Sequence, residues 1–166
     1  MELEAVYKNR FFEDKVLKEK NAVWKILCRH FFQKFIPENS VIADLGAGCC
    51  EFLNNIKAAK KYGFDLNKDS RNFASKEIKF YNAGLLEAGS ILEEKVDIVF
   101  VSHVLEHLNS QEEIIYAFKM FNQILRGGGK VIVLTPNITL LGGSYYDFID
   151  HKTPLNDKSI IEAAEI

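Results

Sequence analysis

Val41-Ile42-Ala43-Asp44-Leu45-Gly46-Ala47-Gly48-Cys49-Cys50-Glu51-Phe52 decides the fold. A short apolar run ends in an acid, a Gly-x-Gly turn follows, and residues able to open a helix come next. That order is a strand–loop–helix unit, which brings backbone close to a small ligand at the carboxyl end of a strand. Gly46 and Gly48 supply backbone angles and a close approach that a Cβ would forbid. A dinucleotide-binding turn would carry its third glycine at position 51. The residue there is Glu51, whose carboxylate would face phosphates across the positive end of the helix dipole. The turn therefore favours a ligand without phosphate.

Four more stretches work outward from it. Lys61-Tyr62-Gly63-Phe64-Asp65-Leu66 reads as a second strand ending in an acid, 21 residues after Asp44. An acid at that place accepts hydrogen bonds from both hydroxyls of a ribose. Lys79-Phe80-Tyr81-Asn82-Ala83 reads as a third strand, and Val96 to Val101 as a fourth, followed by Ser102-His103-Val104-Leu105-Glu106-His107-Leu108. Ile124-Leu125-Arg126-Gly127-Gly128-Gly129 makes a turn before a fifth strand, Lys130 to Thr135. Strands that are near-continuous apolar runs, alternating with helices, imply a parallel sheet covered on both faces. The best helix runs from Gln111 to Leu125. Ser110 and Glu113 make a capping box at its start, and Ile114, Ile115, Phe118, Phe121 and Leu125 make its apolar face. Residues 11–36 predict another helix, with Trp24, Leu27, Phe31 and Phe35 at helical spacing, stopped by Pro37.

Taken in order, these stretches resemble the class I S-adenosylmethionine-dependent methyltransferases over roughly residues 38–140. Asp44, Gly46 and Gly48 match the family's Asp/Glu-x-Gly-x-Gly-x-Gly motif; Cys50 stands at its third glycine. The resemblance implies an α/β fold, Rossmann-like and doubly wound, with a mainly parallel sheet in the order 3-2-1-4-5. It also implies S-adenosyl-L-methionine as cofactor, whose ammonium and sulfonium charges suit an acidic loop. The implied cofactor-binding residues are Asp44, Gly46, Ala47, Gly48, Asp65, Leu66, Asn82, Ala83, Ser102 and His103. Asp65 would hold the ribose and Asn82 the adenine amino group, through the acceptor oxygen it keeps where the family often has Asp. His103 and His107 are the candidate general bases. The acceptor expected is a small molecule with an O or N nucleophile.

Composition agrees with a single domain. The chain has 166 residues, 48% hydrophobic and 27% charged, with a net charge of −2, so no global field recruits nucleic acid. No apolar stretch approaches the ~18–20 residues of a membrane span. Met1-Glu2-Leu3-Glu4 lacks the basic-then-apolar order of a signal peptide, and three cysteines, two adjacent, make no disulfide framework. The expected location is the cytoplasm. The expected organisation is one domain over 1–166: an N-terminal helical lid (1–37), a cofactor-binding core (38–140) and a short tail with a helix (141–166). In the lid, Tyr7, Arg10, Phe11 and Phe12 would cover the cofactor, with Arg10 meeting its carboxylate.

Other patterns compete. His103-x-x-Glu106-His107 fits the inverted zinc-protease motif, but it follows a buried strand directly and no third ligand stands out, so no metal is assigned. Asp150-His151 reads as two solvated tail residues, or as a base oriented by an acid. Nothing after the fourth strand matches the Pro-Pro-aromatic signature of amino-directed nucleic-acid methylation, and no cysteine follows a proline as cytosine C5 methylation needs. The sixth and seventh strands of the family have no counterpart in these residues. The fifth strand then becomes an edge of apolar, β-branched composition, which predicts a homodimer or another partner there. A non-catalytic partner-binding module on the same fold, and less so an NAD(P)-dependent oxidoreductase, remain as alternatives.

Overall fold

The computed structural model describes residues 14–166; Tyr7, Arg10, Phe11 and Phe12 lie outside the described residues. Helix α1 (Asp14–His30) leads through a 3-10 turn (Phe32–Lys34) into β1 (Val41–Leu45). Helix α2 (Glu51–Asn55), β2 (Lys60–Phe64), β3 (Ile78–Tyr81), α3 (Ala88–Ile91) and β4 (Val96–Ser102) follow. Helix α4 (Gln111–Ile124), β5 (Leu125–Leu134), α5 (Ile138–Leu141) and α6 (Asp157–Glu165) complete the chain. The five strands lie in the order β3-β2-β1-β4-β5, every neighbouring pair parallel. This is the expected Rossmann-like, doubly wound sheet.

All five residues of β1 are buried, and the period-2 alternation of a strand divides them between two cores. Val41, Ala43 and Leu45 face the α4–α6 side, with Phe64, Val99, Val101, Phe118 and Phe121. Ile42 faces the α1–α2 side, with Cys28, Phe32, Phe52, Ile98 and Phe100. Phe52 stacks on Phe100, centroids 3.7 Å apart, and thereby locks α2 to the sheet.

Three local expectations need correction. Helix α1 ends at His30, and the buried residues beyond it are Phe32 and Ile36, while Phe31 and Phe35 are exposed. The 3-10 turn has three residues per revolution, so it shifts the apolar face by one position. The capping box at α4 is only half formed. The Ser110 hydroxyl accepts from Glu113 N at 3.3 Å, but the Glu113 carboxylate accepts from Asn109 N at 2.8 Å, one residue further back. Asp150 is buried rather than solvated, as are Tyr145, Thr153 and Leu155 around it.

Gly127, Gly128 and Gly129 lie within β5, and Gly129 is enforced by space. A Cβ on Gly129 would come within 3.0 Å of two backbone oxygens, Arg126 O and Asp97 O. The Asp97 carboxylate in turn accepts from Arg126 at 3.0 Å and from Val41 N at 2.7 Å, tying the foot of β4 to β1 and β5. Among the described residues, no helix is long and apolar enough to cross a membrane.

Candidate functional site

The carboxyl ends of β1, β2 and β4 converge on the glycine turn. Gly46 N and Ala47 N both donate to Phe64 O at 2.8 Å, fastening the turn to the end of β2. Gly46 has φ +93°, and a Cβ there would drive into the Val104 side chain, so the turn after β4 packs directly on it. Gly48 differs: its φ is +52°, and nothing lies within 4 Å of where its Cβ would stand. Cys50, at the family's third glycine, keeps the left-handed conformation at φ 57° and is fully buried.

Asp65 closes this region from β2. Its Oδ2 accepts from Gly48 N at 2.7 Å and its Oδ1 from Asn67 N at 2.8 Å. The carboxylate thus shapes the loop while keeping lone pairs for a further donor. The Asn82 amide nitrogen donates to Asp65 O and Leu66 O at 2.9 and 2.8 Å. The side-chain oxygen of Asn82 is left as the acceptor group. Leu66 is 75% exposed and Ala83 is buried.

The electrostatics are acidic. Asp44 is buried, its Oδ1 has no hydrogen-bond partner, and burial, then Asp65, then Glu51 push its pKa well above 3.8. Burial raises Asp65 too, against the lowering effect of the Asn67 and Gly48 amides. Glu51 opens α2 and pairs with Lys20 at 3.0 Å. The same burial lifts the Cys49 thiol to about 11 and Cys28 to about 12, so these cysteines stay protonated and act as packing.

At the end of β4, His103 adopts φ 54°, donates its N–H to Leu134 O at 2.8 Å, and leaves its side chain 56% exposed. His107 is turned away from that position: its Nδ1 lies 2.9 Å from Asp150 O. Glu106 is wholly buried between them. Its Oε2 accepts from the Thr135 hydroxyl at 3.1 Å. Its main-chain oxygen accepts from Lys152 N and Thr153 N at 2.8 and 3.1 Å. His151 stands here as well, near enough for Glu106, His107 and His151 to present ligand atoms within 4.8 Å of one another. In the sequence His151 stands only as a solvated tail residue or as a base beside Asp150; no periodicity or spacing connects it with the turn after β4.

The family described as the methyltransferase domain matches residues 43–133, more than half of the chain. This chain belongs to the class I S-adenosylmethionine-dependent methyltransferases. Solved structures agree on the fold of this methyltransferase. A SAM-dependent methyltransferase from Archaeoglobus fulgidus superimposes with a TM-score of 0.71 at 19% identity, over 99% of this chain and 73% of that one. N-methyltransferase NodS from Bradyrhizobium japonicum, in complex with S-adenosyl-L-homocysteine, gives 0.71 at 11% identity, over 97% and 83%. A complex of the Haloferax volcanii Trm112 methyltransferase activator with a putative methyltransferase gives 0.63 at 14%, over 87% and 74%. No curated protein matches the sequence.

The residues present suit the methyltransferase's cofactor. An unpartnered buried oxygen on Asp44, the neighbouring Asp65 and Glu51 and the open approach over Gly48 form an acidic cradle. Such a cradle attracts an ammonium and a sulfonium and repels a pyrophosphate.

Proposed function

We propose that this methyltransferase moves the methyl group of S-adenosylmethionine to an oxygen or nitrogen of a small-molecule acceptor. The observation that carries the reading is the acidic cradle, centred on the unpartnered Asp44 oxygen beside the Gly46–Gly48 turn. S-adenosylmethionine supplies an electrophilic methyl group on its sulfonium. Everything else falls to the chain. Asp44 and the backbone of Gly46, Ala47 and Gly48 hold the amino-acid end, and Asp65 takes the ribose hydroxyls. Leu66 and Ala83 enclose the adenine, with the Asn82 oxygen on its amino group. Ser102 and His103 stand at the methyl end. His103, with its exposed ring at the end of β4, is better placed than His107 to take a proton from an acceptor hydroxyl. In-line positioning and water exclusion then account for most of the rate. In this reading residues 38–140 carry the cofactor, 1–37 contribute a lid and 141–166 border the acceptor, in the cytoplasm.

A second reading is a partner-binding module that keeps the fold. One observation favours it: among the described residues no strand pairs with the outer edge of β5. Calorimetry with S-adenosylmethionine, S-adenosylhomocysteine and NAD separates the readings. The methyltransferase reading expects both sulfur compounds to bind and to raise the melting temperature by mass action, with NAD inert. No binding at millimolar cofactor by folded protein defeats it. Transfer of a labelled methyl group to any member of a panel of hydroxyl and amine acceptors then separates an enzyme from a module.

A further inference from the structure

We propose that Glu106, His107 and His151 form a binding site for a first-row divalent transition ion such as zinc. One ligand atom from each residue lies within 4.8 Å of the other two. Ligand atoms that share a tetrahedral zinc ion, at about 2.0–2.2 Å each, stand roughly 3.3–3.6 Å apart. The cluster therefore has to close by at most about 1.5 Å at its widest, a shift within reach of side-chain rotation.

Two independent features point to a cation. The first is Glu106, completely buried with one oxygen, Oε1, lacking any hydrogen-bond partner. Among the described residues, His103 Nδ1 stands 3.4 Å from Oε1 and makes no hydrogen bond to it. A buried carboxylate oxygen in that condition calls for a charge partner. The second is the orientation of the two rings. His107 Nδ1 lies 2.9 Å from Asp150 O, and His151 Nδ1 lies 2.7 Å from Tyr145 O. A carbonyl only accepts, so each Nδ1 carries its proton, and each Nε2 becomes the nitrogen with a lone pair. Carbonyl-fixed imidazoles and a carboxylate held by a hydroxyl, here Thr135 on Oε2 at 3.1 Å, are what orients ligands around a metal.

Two imidazoles and one carboxylate suit zinc, cobalt or iron(II) better than magnesium or calcium, which prefer all-oxygen sites. The turn carrying Glu106 and His107 packs through Val104 on Gly46, so the ion would lie beside the residues assigned to the cofactor. There it would act as a Lewis acid on an acceptor oxygen. The site itself does not depend on the methyl-transfer reading, because metal binding reports it without any turnover.

The test uses the whole chain, stripped with a chelator and titrated with zinc by calorimetry and with cobalt by visible absorption. The expected result is one ion per chain, a higher melting temperature with the ion, and cobalt bands of a low-coordinate nitrogen–oxygen site. His151→Ala and Glu106→Gln should each weaken binding at least tenfold, since even outer-shell losses cost about 10–100-fold. His30→Ala, exposed on α1, should leave it unchanged. Circular dichroism establishes that each variant is folded, and His151→Ala decides alone if Glu106→Gln is not. Absence of stoichiometric zinc and cobalt binding by folded wild type overturns the site. So does a His151→Ala protein that binds as tightly as wild type.

Discussion

At the glycine turn, residues 44–51, the chain is shaped by its own backbone: two amides on Phe64 O, one carboxylate on Gly48 N, three left-handed residues. At the end of the neighbouring strand β4, the turn at residues 102–108 takes its shape from a distant segment. Thr153 caps Leu108 O from 45 residues away at 2.8 Å, Lys152 and Thr153 amides cap Glu106 O, and Asp150 O fixes the His107 ring. The first region is built from local conformational chemistry and the second from long-range docking. A lesion in the segment 142–155 should therefore disorganise the second region and spare the first.

Tyr145→Ala is the strongest such lesion. Its ring is completely buried, lies 4.9 Å from His151, and its hydroxyl donates to Thr153 O at 2.6 Å. Truncation of a buried aromatic costs about 3–5 kcal/mol. Denaturant unfolding should show that loss, while calorimetric affinity of the remaining folded protein for S-adenosylmethionine changes little. An equal collapse of cofactor affinity would mean that the two regions are one cooperative unit.

Gly46→Ala attacks the other side. Its φ of +93° and the Val104 side chain in the path of a Cβ combine strain and overpacking, roughly 2–4 kcal/mol. Gly48→Ala, with open space around it, should cost only about 1–2 kcal/mol of strain, yet weaken the cofactor more than its stability loss suggests. A Gly48→Ala protein with wild-type affinity would remove that glycine from the cradle.

Asp65→Ala should weaken S-adenosylmethionine by about 1.5–3 kcal/mol for each charge-assisted bond lost, with Asp65→Asn losing less. Calorimetry decides, and an unchanged affinity sinks the ribose assignment.

How much of this was open to reading before the structure differs between the two regions for the same physical reason. Asp44, Gly46, Gly48 and Asp65 are visible because a left-handed turn after an apolar strand demands particular residue types at short spacing. The sheet order follows from apolar runs that only a doubly covered parallel sheet buries. The meeting of His151 with Glu106 and His107 was not visible, because its partners are Tyr145 O and a turn more than forty residues earlier, and no local period encodes that encounter. The one-residue error in the aromatic face after α1 has a local cause, the switch from 3.6 to 3 residues per turn.

The acid cradle makes a smaller, pH-dependent prediction. Asp44 has its native pKa raised well above 3.8, first by burial. The folded chain then holds a proton that the unfolded chain has already released. Stability of the cofactor-free protein should therefore fall as pH rises from 3.8 through the raised native value. Asp44→Asn should flatten that slope in melting curves recorded across the window. Bound S-adenosylmethionine, with its positive charges, should flatten it in the wild type. A wild-type curve that rises over the same window would show the Asp44 carboxylate to be stabilised by its surroundings rather than strained.

The smallest expected effect lies on the edge of the second region. β5 supplies Leu134 O to His103 N and leads directly to Thr135 beneath Glu106, but its outer side pairs with no strand among the described residues. Val131, Ile132, Val133 and Leu134 are half-buried, apolar and largely β-branched, with neither the proline nor the inward charge that usually protects an exposed edge. Weak self-association through this edge should appear as a mass that grows with concentration in light scattering. Hydrogen exchange at residues 131–134 should slow over the same range. A monomer at every concentration, with those amides exchanging at one constant rate, would mean that this edge recruits no second copy, and the homodimer expectation would fall.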